Sequence, residues 1–259
     1  MRMSGVWRVT VATAVLGALG ALSAALSACG GTAAGGEAGA QREAGARGEA
    51  VRTAAPGPVP SAAADPTRVP GVGDNLYRRI PADSRQVVAV YGDTENSPDS
   101  TVVLYTRHGS AWRPVRAWAA HNGRHGWTTG HRMGDGRSPV GVFTLTDAGG
   151  VLDDPGAKLP YDHSAESYAT PDTWDEAHRH DFDYVIAIDY NRLRGTPPAD
   201  PTRPEGEDKG GNIWLHLDHG SGTSACVSVS KEAMEFLLRT LDPRLHPVIV
   251  MGDRAELRA

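Results

Sequence analysis

Cys226 and His216 are the residues best suited to carry out chemistry in this sequence. The histidine lies ten residues before the cysteine, at the end of an apolar, strand-like run, and Gly220 and Gly222 fall between them. The nucleophilic form of cysteine is the thiolate, and a free cysteine with a pKa of about 8.5 is mostly protonated at neutral pH. Because a nearby imidazole can remove that proton, the pattern predicts a thiol nucleophile, Cys226, and a general base, His216.

A helix dipole is a poor alternative activator for this thiol. Ser230 is the predicted N-cap of a helix over 231–241, and it follows Cys226 by four residues, or about 13 Å of extended chain. The dipole fades within about one turn of its helix, so it does not reach the sulfur. An imidazole is therefore the better explanation.

The segment between the two residues adds further candidates. Nine residues separate them, which is enough for a tight reversal that brings the end of one strand to the start of the next. His219 is a competing base within that segment. The backbone N–H groups of Ala225 and Cys226 are predicted to receive an oxyanion.

The N-terminus has the pattern of an export signal. Arg2 and Arg8 precede a run of small apolar residues over 9–26, and the sequence Leu-Ser-Ala-Cys ends at Cys29. This tetrad resembles a bacterial lipobox, which implies cleavage before Cys29 and lipid attachment to its thiol. An uncleaved transmembrane anchor is the alternative. Both place the rest of the chain outside the cytoplasmic membrane, and lipidation of Cys29 leaves Cys226 without a disulfide partner.

Composition divides the 259 residues into three parts. Residues 1–28 are the predicted lipoprotein signal peptide. Residues 29–75, rich in Ala, Gly and Pro, offer too little apolar surface to offset their ordering entropy and are predicted to form a disordered tether. Residues 76–259 are long enough for one domain with a substantial core. The net charge of −5 gives no basic field for nucleic acid, so we expect no such partner.

The domain is predicted to be mainly β. Short runs rich in β-branched and aromatic residues indicate eight strands, over 86–91, 101–106, 112–120, 141–146, 184–190, 212–217, 226–229 and 247–251. The helix over 231–241 has an apolar stripe and is stopped by the Asp-Pro pair that follows it. Long stretches over 147–183 and 191–211 have no regular pattern, and loops of that length are either functional or mobile.

Two motifs resemble the YkuD-type L,D-transpeptidase catalytic domain. The first is Gly-Asp-Gly-Arg-Ser-Pro-Val-Gly-Val-Phe over 134–143, similar to the family segment G-D-x-x-[ST]-P-x-G-x-F. The second is Ile-Trp-Leu-His over 213–216 followed by Thr-Ser-Ala-Cys-Val over 223–227, the helix, and Pro-Val-Ile-Val over 247–250. The resemblance covers about residues 85–252 and is closest to a subgroup with a short interval between histidine and cysteine.

The resemblance implies a fold and an activity. The fold is a YkuD-like β-sandwich or barrel with one or two packed helices. In the family, the cysteine attacks a peptidoglycan stem tetrapeptide, D-alanine leaves, and the thioester passes to an amine on a neighbouring stem. By matching position, Cys226 is the nucleophile and His216 the base. The expected partners are therefore peptidoglycan stem peptides, with the membrane reached through the lipid anchor, and we expect a monomer.

This sequence departs from the family pattern next to the cysteine. Ala225 stands where the family has glycine, which a negative φ at that position tolerates. Ser224 and Ser228 stand where many members have histidine and arginine. We keep Ser224 and Tyr190 as candidate substrate contacts, and His219 as either a substrate contact or the alternative base.

We expect neither a metal nor another cofactor. The sequence His-Arg-His-Asp over 178–181 and the pair His216 and His219 could supply ligands. However, neither has the i, i+4 spacing of helical zinc ligands, which argues against a catalytic zinc.

Other functions remain open beside the transpeptidase. The same thioester could be hydrolysed by water, which would make an L,D-carboxypeptidase, or the domain could be a catalytically silent lipoprotein that binds the cell wall. Papain-like peptidases are disfavoured because their cysteine precedes their histidine and begins a helix.

Overall fold

The computed structural model describes residues 65–259, so the predicted signal peptide, the lipidation site Cys29 and most of the predicted tether lie outside the described residues. The α-helices in this part of the chain are α1 (Asp74–Tyr77), α2 (Lys231–Thr240) and α3 (Arg254–Arg258). The strands are β1 (Gln86–Gly92), β2 (Asp99–His108), β3 (Ala111–His121), β4 (Trp127–Thr128), β5 (Ser138–Pro139), β6 (Gly141–Thr144), β7 (Ala148–Gly150), β8 (Tyr161–His163), β9 (Val185–Ala187), β10 (Trp214–Leu217), β11 (Val227–Val229) and β12 (Val248–Asp253).

Ten of these strands form one mixed sheet in the order β6-β12-β1-β2-β3-β11-β10-β9-β7-β8. Strands β1, β2 and β3 are consecutive antiparallel neighbours, whereas β12 pairs parallel with β1 and β11 pairs parallel with β10. Strands β4 and β5 form a separate two-stranded sheet. A mostly β architecture with few packed helices confirms the predicted fold class.

The centre of the large sheet is buried on both faces. Along β1, Val88 and Val90 pack into one cluster of buried side chains while Val87 and Ala89 pack into a second. This alternation follows from the two-residue period of a strand. It explains why β1 consists almost entirely of apolar residues.

Helix α2 covers the first of these clusters. Ser230 caps it, because its hydroxyl accepts a hydrogen bond from the Ala233 N–H at 3.2 Å, as its position before the helix predicts. Ala233, Met234 and Leu237 are fully buried against the sheet. The helix ends at Thr240, one residue before the predicted end.

The second cluster includes residues that the sequence assigns to the tether. Val69 and Val72 are buried with Leu257 of α3, and the Gly73 N–H donates to the Leu257 carbonyl at 2.7 Å. The Tyr91 hydroxyl also donates to the Pro70 carbonyl at 2.6 Å. Packing therefore begins before residue 76, the predicted start of the domain.

All eight predicted strands are present, with ends shifted by up to three residues. The additional strands, β4, β5, β7 and β8, have two or three residues each, too short for a periodic pattern. No helix within residues 65–259 is long and apolar enough to cross a membrane.

Candidate active site

Strands β10 and β11 place the two candidate catalytic residues on one face of the sheet. They run parallel, with Leu215 opposite Val227 and His216 opposite Ser228. Cys226, one residue before β11, therefore lies beside Trp214, and its side chain points to the same face as His216. The expected tight reversal is wrong, because the connection over 218–226 returns the chain to the start of β10 instead of folding back from its end.

Hydroxyl groups hold the segment that carries the cysteine. The Thr223 hydroxyl donates to the Cys226 carbonyl at 2.7 Å. The fully buried Ser138 hydroxyl donates to the Ala225 carbonyl at 2.7 Å and accepts from the Gly123 N–H at 2.8 Å. The 134–143 motif therefore acts on the site through Ser138, which fixes the peptide that joins Ala225 to Cys226.

The Cys226 thiol rests in contact with backbone groups. Its sulfur accepts from the Trp214 N–H at 3.4 Å and donates to the Asn212 carbonyl at 3.6 Å. Burial raises the pKa of the thiol to about 11; the Trp214 N–H works against that rise, and the negative charge of Asp181 adds to it. The resting sulfur is therefore an uncharged thiol.

His216 is prepared to accept a proton at one nitrogen. Its Nδ1 lies 2.7 Å from the Leu217 carbonyl, which can only accept, so Nδ1 carries the hydrogen and Nε2 keeps a lone pair. Burial lowers the pKa of His216 to about 4, even though the charge of Asp181 and the Leu217 carbonyl oppose that shift. The imidazole is neutral at physiological pH. A backbone carbonyl thus orients the ring of His216.

His219 has a different environment. Its Nδ1 lies 3.1 Å from an Asp181 carboxylate oxygen, and its side chain is 4% exposed. Its interaction with that carboxylate raises the pKa of His219, although burial opposes the rise. The ring stacks on His216 with centroids 6.2 Å apart. The two histidines thus differ, because the Asp181 carboxylate favours the charged form of His219 while burial favours the neutral form of His216.

Asp181 also contacts a second histidine, His178, which lies in the same 147–183 stretch. The Nδ1 of His178 lies 2.9 Å from the same carboxylate oxygen that His219 approaches. Burial works to raise the pKa of Asp181, but its contacts with His219 and His178 outweigh burial and hold that pKa below its usual value. Among residues 65–259, His178, Asp181 and His219 are the one group whose ligand atoms are close enough to share a metal ion, all within 4.8 Å of one another.

The sequence did not predict this histidine–aspartate group, since it paired His178 with neighbours along the chain. Two imidazoles and a carboxylate would suit zinc. However, the Nδ1 of His178 already makes a hydrogen bond with one carboxylate oxygen, and the Nδ1 of His219 lies at ion-pair distance from the same oxygen. The Asp181 carboxylate thus positions both His178 and His219 through direct contacts.

The structure places the oxyanion candidate Ala225 and the substrate candidates Ser224 and Tyr190 in three different environments. Ala225 is buried and is not among the residues with positive φ, so its methyl group fits where the family has glycine. Ser224 is exposed, and the Arg124 guanidinium donates to its hydroxyl at 3.4 Å. Tyr190 does not line the site: it packs edge-on against Phe143 and donates to the His131 carbonyl at 3.3 Å.

One cavity of about 480 Å³ joins most of these groups. Its lining combines the cysteine loop, the two histidines that follow β10 and part of the 147–183 stretch. The lining residues are Arg124, Thr173, Trp174, Asp175, His178, Asp181, Phe182, His216, His219, Ser221, Gly222, Thr223, Ser224 and Cys226. Convergent polar groups around a partly apolar cavity are typical of a binding site.

The family profile of the YkuD L,D-transpeptidase catalytic domain matches residues 95–250, which is more than half of the chain. The chain belongs to the YkuD family. The matched range contains the Ser138 motif, His216 and Cys226. That family is described as the L,D-transpeptidase catalytic domain.

Two solved structures are also similar to the chain. Bd1075 of Bdellovibrio bacteriovorus is 18% identical with a TM-score of 0.38, over 72% of this chain and 52% of that one. Pgp2 of Campylobacter jejuni, described as a helical cell shape determining protein, is 15% identical with a TM-score of 0.38, over 65% of this chain and 48% of that one. The chain thus spans about half the length of the solved structures it matches. No curated protein matches it.

Proposed function

We propose that this protein is a peptidoglycan L,D-transpeptidase that works through a thioester on Cys226, with His216 as its general base. The observation that carries the proposal is the shared face of the parallel pair β10–β11, where both side chains line one cavity. Membership of the YkuD family supplies the substrate class.

The first half-reaction, acylation of Cys226, starts from the hydrogen bonds that the thiol makes at rest. The thiol leaves the Asn212 carbonyl, and its proton passes to Nε2 of His216 as the sulfur attacks the carbonyl carbon of the stem peptide. The N–H groups of Ala225 and Cys226 then stabilise the oxyanion. The C–N bond breaks, His216 returns the proton to the departing amine, and the acyl group remains on sulfur.

Arg124 suits the leaving residue of that donor peptide. Its side chain is exposed, it has no carboxylate partner within residues 65–259, and it reaches the hydroxyl of Ser224, two residues before the nucleophile. The residue that leaves a stem tetrapeptide ends in a carboxylate, which a guanidinium binds well. We therefore assign donor recognition to Arg124, where many family members use an arginine after the cysteine.

The proposed location is the outer face of the cytoplasmic membrane. The lipobox-like tetrad ending at Cys29 supports it. A tether over 29–75 would let the domain work away from the lipid surface, with a root-mean-square reach of roughly 35–40 Å.

The products from purified disaccharide-tetrapeptides test the proposed activity. We expect dimers and released D-alanine with the wild-type chain, and neither product with Cys226→Ala. Free tripeptide without dimers would favour the carboxypeptidase. A wild-type chain that releases nothing and forms no adduct with a carbapenem would support the silent wall-binding protein.

A further inference from the structure

The cavity extends beyond the residues that the first half-reaction uses. Ring contacts run from His216 to His219 at 6.2 Å, then to His178 at 4.1 Å, and then to Trp174 at 5.6 Å between centroids. Trp174 is 43% exposed, so this series of rings connects the base of the nucleophile with solvent. It is the part of the cavity that the donor chemistry leaves unassigned.

His178 is the member of this series that a second substrate can meet. Its side chain is 31% exposed, whereas those of His219 and Asp181 are 4% and 5% exposed. Its Nδ1 donates to the buried Asp181 carboxylate at 2.9 Å, which leaves Nε2 with a lone pair. A histidine held at Nδ1 by a buried carboxylate has the arrangement of a general base.

The second half-reaction requires a base that the acceptor amine can reach. A primary amine has a pKa near that of lysine, about 10.4, so it arrives as an ammonium and must lose a proton before it attacks. His216 is neutral again after the first half-reaction, but it is only 3% exposed, whereas the side chain of His178 is 31% exposed. His178 is therefore the more accessible proton acceptor for an amine that enters from solvent.

We propose that His178, held by Asp181, forms the subsite for the acceptor amine and takes its proton; this inference rests on the proposed function. The ammonium gives a proton to Nε2 of His178, and the neutral nitrogen attacks the thioester carbonyl carbon. A C–N bond forms, the C–S bond breaks, and the thiolate of Cys226 leaves. The thiolate is reprotonated from solvent, and the attacking nitrogen and His178 each release a proton to solvent.

Replacement of His178 by asparagine tests this assignment. His178→Asn keeps a donor near the position of Nδ1, and so the contact with Asp181, but removes Nε2. The matched control is His180→Asn, since His180 is 74% exposed, contacts Asp183 instead and does not line the cavity. Each full chain is first acylated with a disaccharide-tetrapeptide and then mixed with a disaccharide-tripeptide, which offers an amine but no leaving residue.

We expect His178→Asn to acylate Cys226 within about twofold of the wild-type rate and to transfer the acyl group to the tripeptide about 10²-fold more slowly. Hydroxylamine, which is uncharged at neutral pH, should deacylate it at nearly the wild-type rate. His180→Asn should match the wild type in every step.

Three results would overturn the inference. The first is that His178→Asn transfers the acyl group to the tripeptide at the wild-type rate. The others are that its acylation, or its deacylation by hydroxylamine, slows by the same factor as the transfer. If His178→Asn does not fold, the same comparison with His178→Gln decides, since glutamine also lacks a titratable nitrogen. Failure of the proposed function is distinguishable, because then the wild-type chain itself would form no acyl-enzyme on Cys226.

Discussion

The resting state of the Cys226 thiol explains how its reactivity is controlled. Its pKa is raised to about 11 and that of His216 is lowered to about 4, so the pair consists of a neutral thiol and a neutral imidazole. The thiol also makes hydrogen bonds with the backbone of Asn212 and Trp214. In the proposed mechanism, deprotonation of the thiol therefore accompanies its attack on the substrate, since neither group is charged beforehand.

The pH dependence of acylation identifies the base. With His216 as the proposed base, its protonation would stop acylation, and because its pKa is about 4 we expect a rate that is constant from neutral pH down to about 5 and falls near 4. His219 has a raised pKa, so a reaction that used His219 would slow already as the pH falls through neutrality. Stopped-flow measurement of the acylation rate with a carbapenem shows where the rate falls at acidic pH. In the control variant His219→Gln, the rate should still fall near pH 4.

The sequence marks a candidate nucleophile and a candidate base, but it does not predict their environment. The spacing of His216 and Cys226 and the small residues between them indicated a nucleophile and a base. The orienting group of His216 is the carbonyl of Leu217, and every residue has a carbonyl. No side chain in the sequence could have marked it.

At the scale of elements, the parallel pair β10–β11 and the Ser138 motif decide the geometry of the site. Eight strands were predictable because their β-branched and aromatic residues fit a sheet whose faces pack against buried clusters. The direction of β11 was not predictable, because the same connection over 218–226 could serve either direction. The part of the 147–183 stretch that carries His178 and Asp181 has no periodicity that would place it against β10.

Replacement of Ser138 tests the link between its motif and the nucleophile. Ser138→Ala leaves the Ala225 carbonyl and the Gly123 N–H without their partner in a buried position. We expect a loss of about 1–3 kcal/mol in the free energy of unfolding. We also expect a slower acylation of Cys226, because the oxyanion N–H groups lose their support.

Ser138→Thr is the control, since the family motif admits threonine and the hydroxyl is kept. Urea unfolding and the acylation rate are measured for both variants. A Ser138→Ala chain with wild-type acylation would show that the hydroxyl does not position the nucleophile.

At the scale of the whole molecule, the extent of the folded domain differs from the compositional boundary. A tract rich in Ala, Gly and Pro predicted a tether to residue 75, but Val69 and Val72 are buried beside Leu257. The sequence Val-Pro-Gly-Val over 69–72 contains the only signal for this contact, two valines in a segment with turn residues. Two valines in so short a segment show no periodicity, so the overall composition of residues 29–75 determined the predicted boundary.

Truncation tests where the domain begins. A chain that starts at residue 76 loses two buried valines and the acceptor of the Tyr91 hydroxyl, so we expect it to be less stable than a chain that starts at residue 65 by about 3–5 kcal/mol. Urea unfolding of the two chains measures the difference. Equal midpoints and slopes would show that residues 65–75 add nothing to the fold.

The central claim, that Cys226 carries the acyl group, is tested most directly by intact-protein mass spectrometry after rapid mixing with a disaccharide-tetrapeptide. The wild-type chain should gain the mass of the donor less D-alanine, with the adduct on the peptide that contains Cys226. His216→Ala should acylate at least about 10³-fold more slowly, and Cys226→Ala should gain no mass. The same adduct on Cys226→Ala, or dimers formed by that variant, would contradict the account.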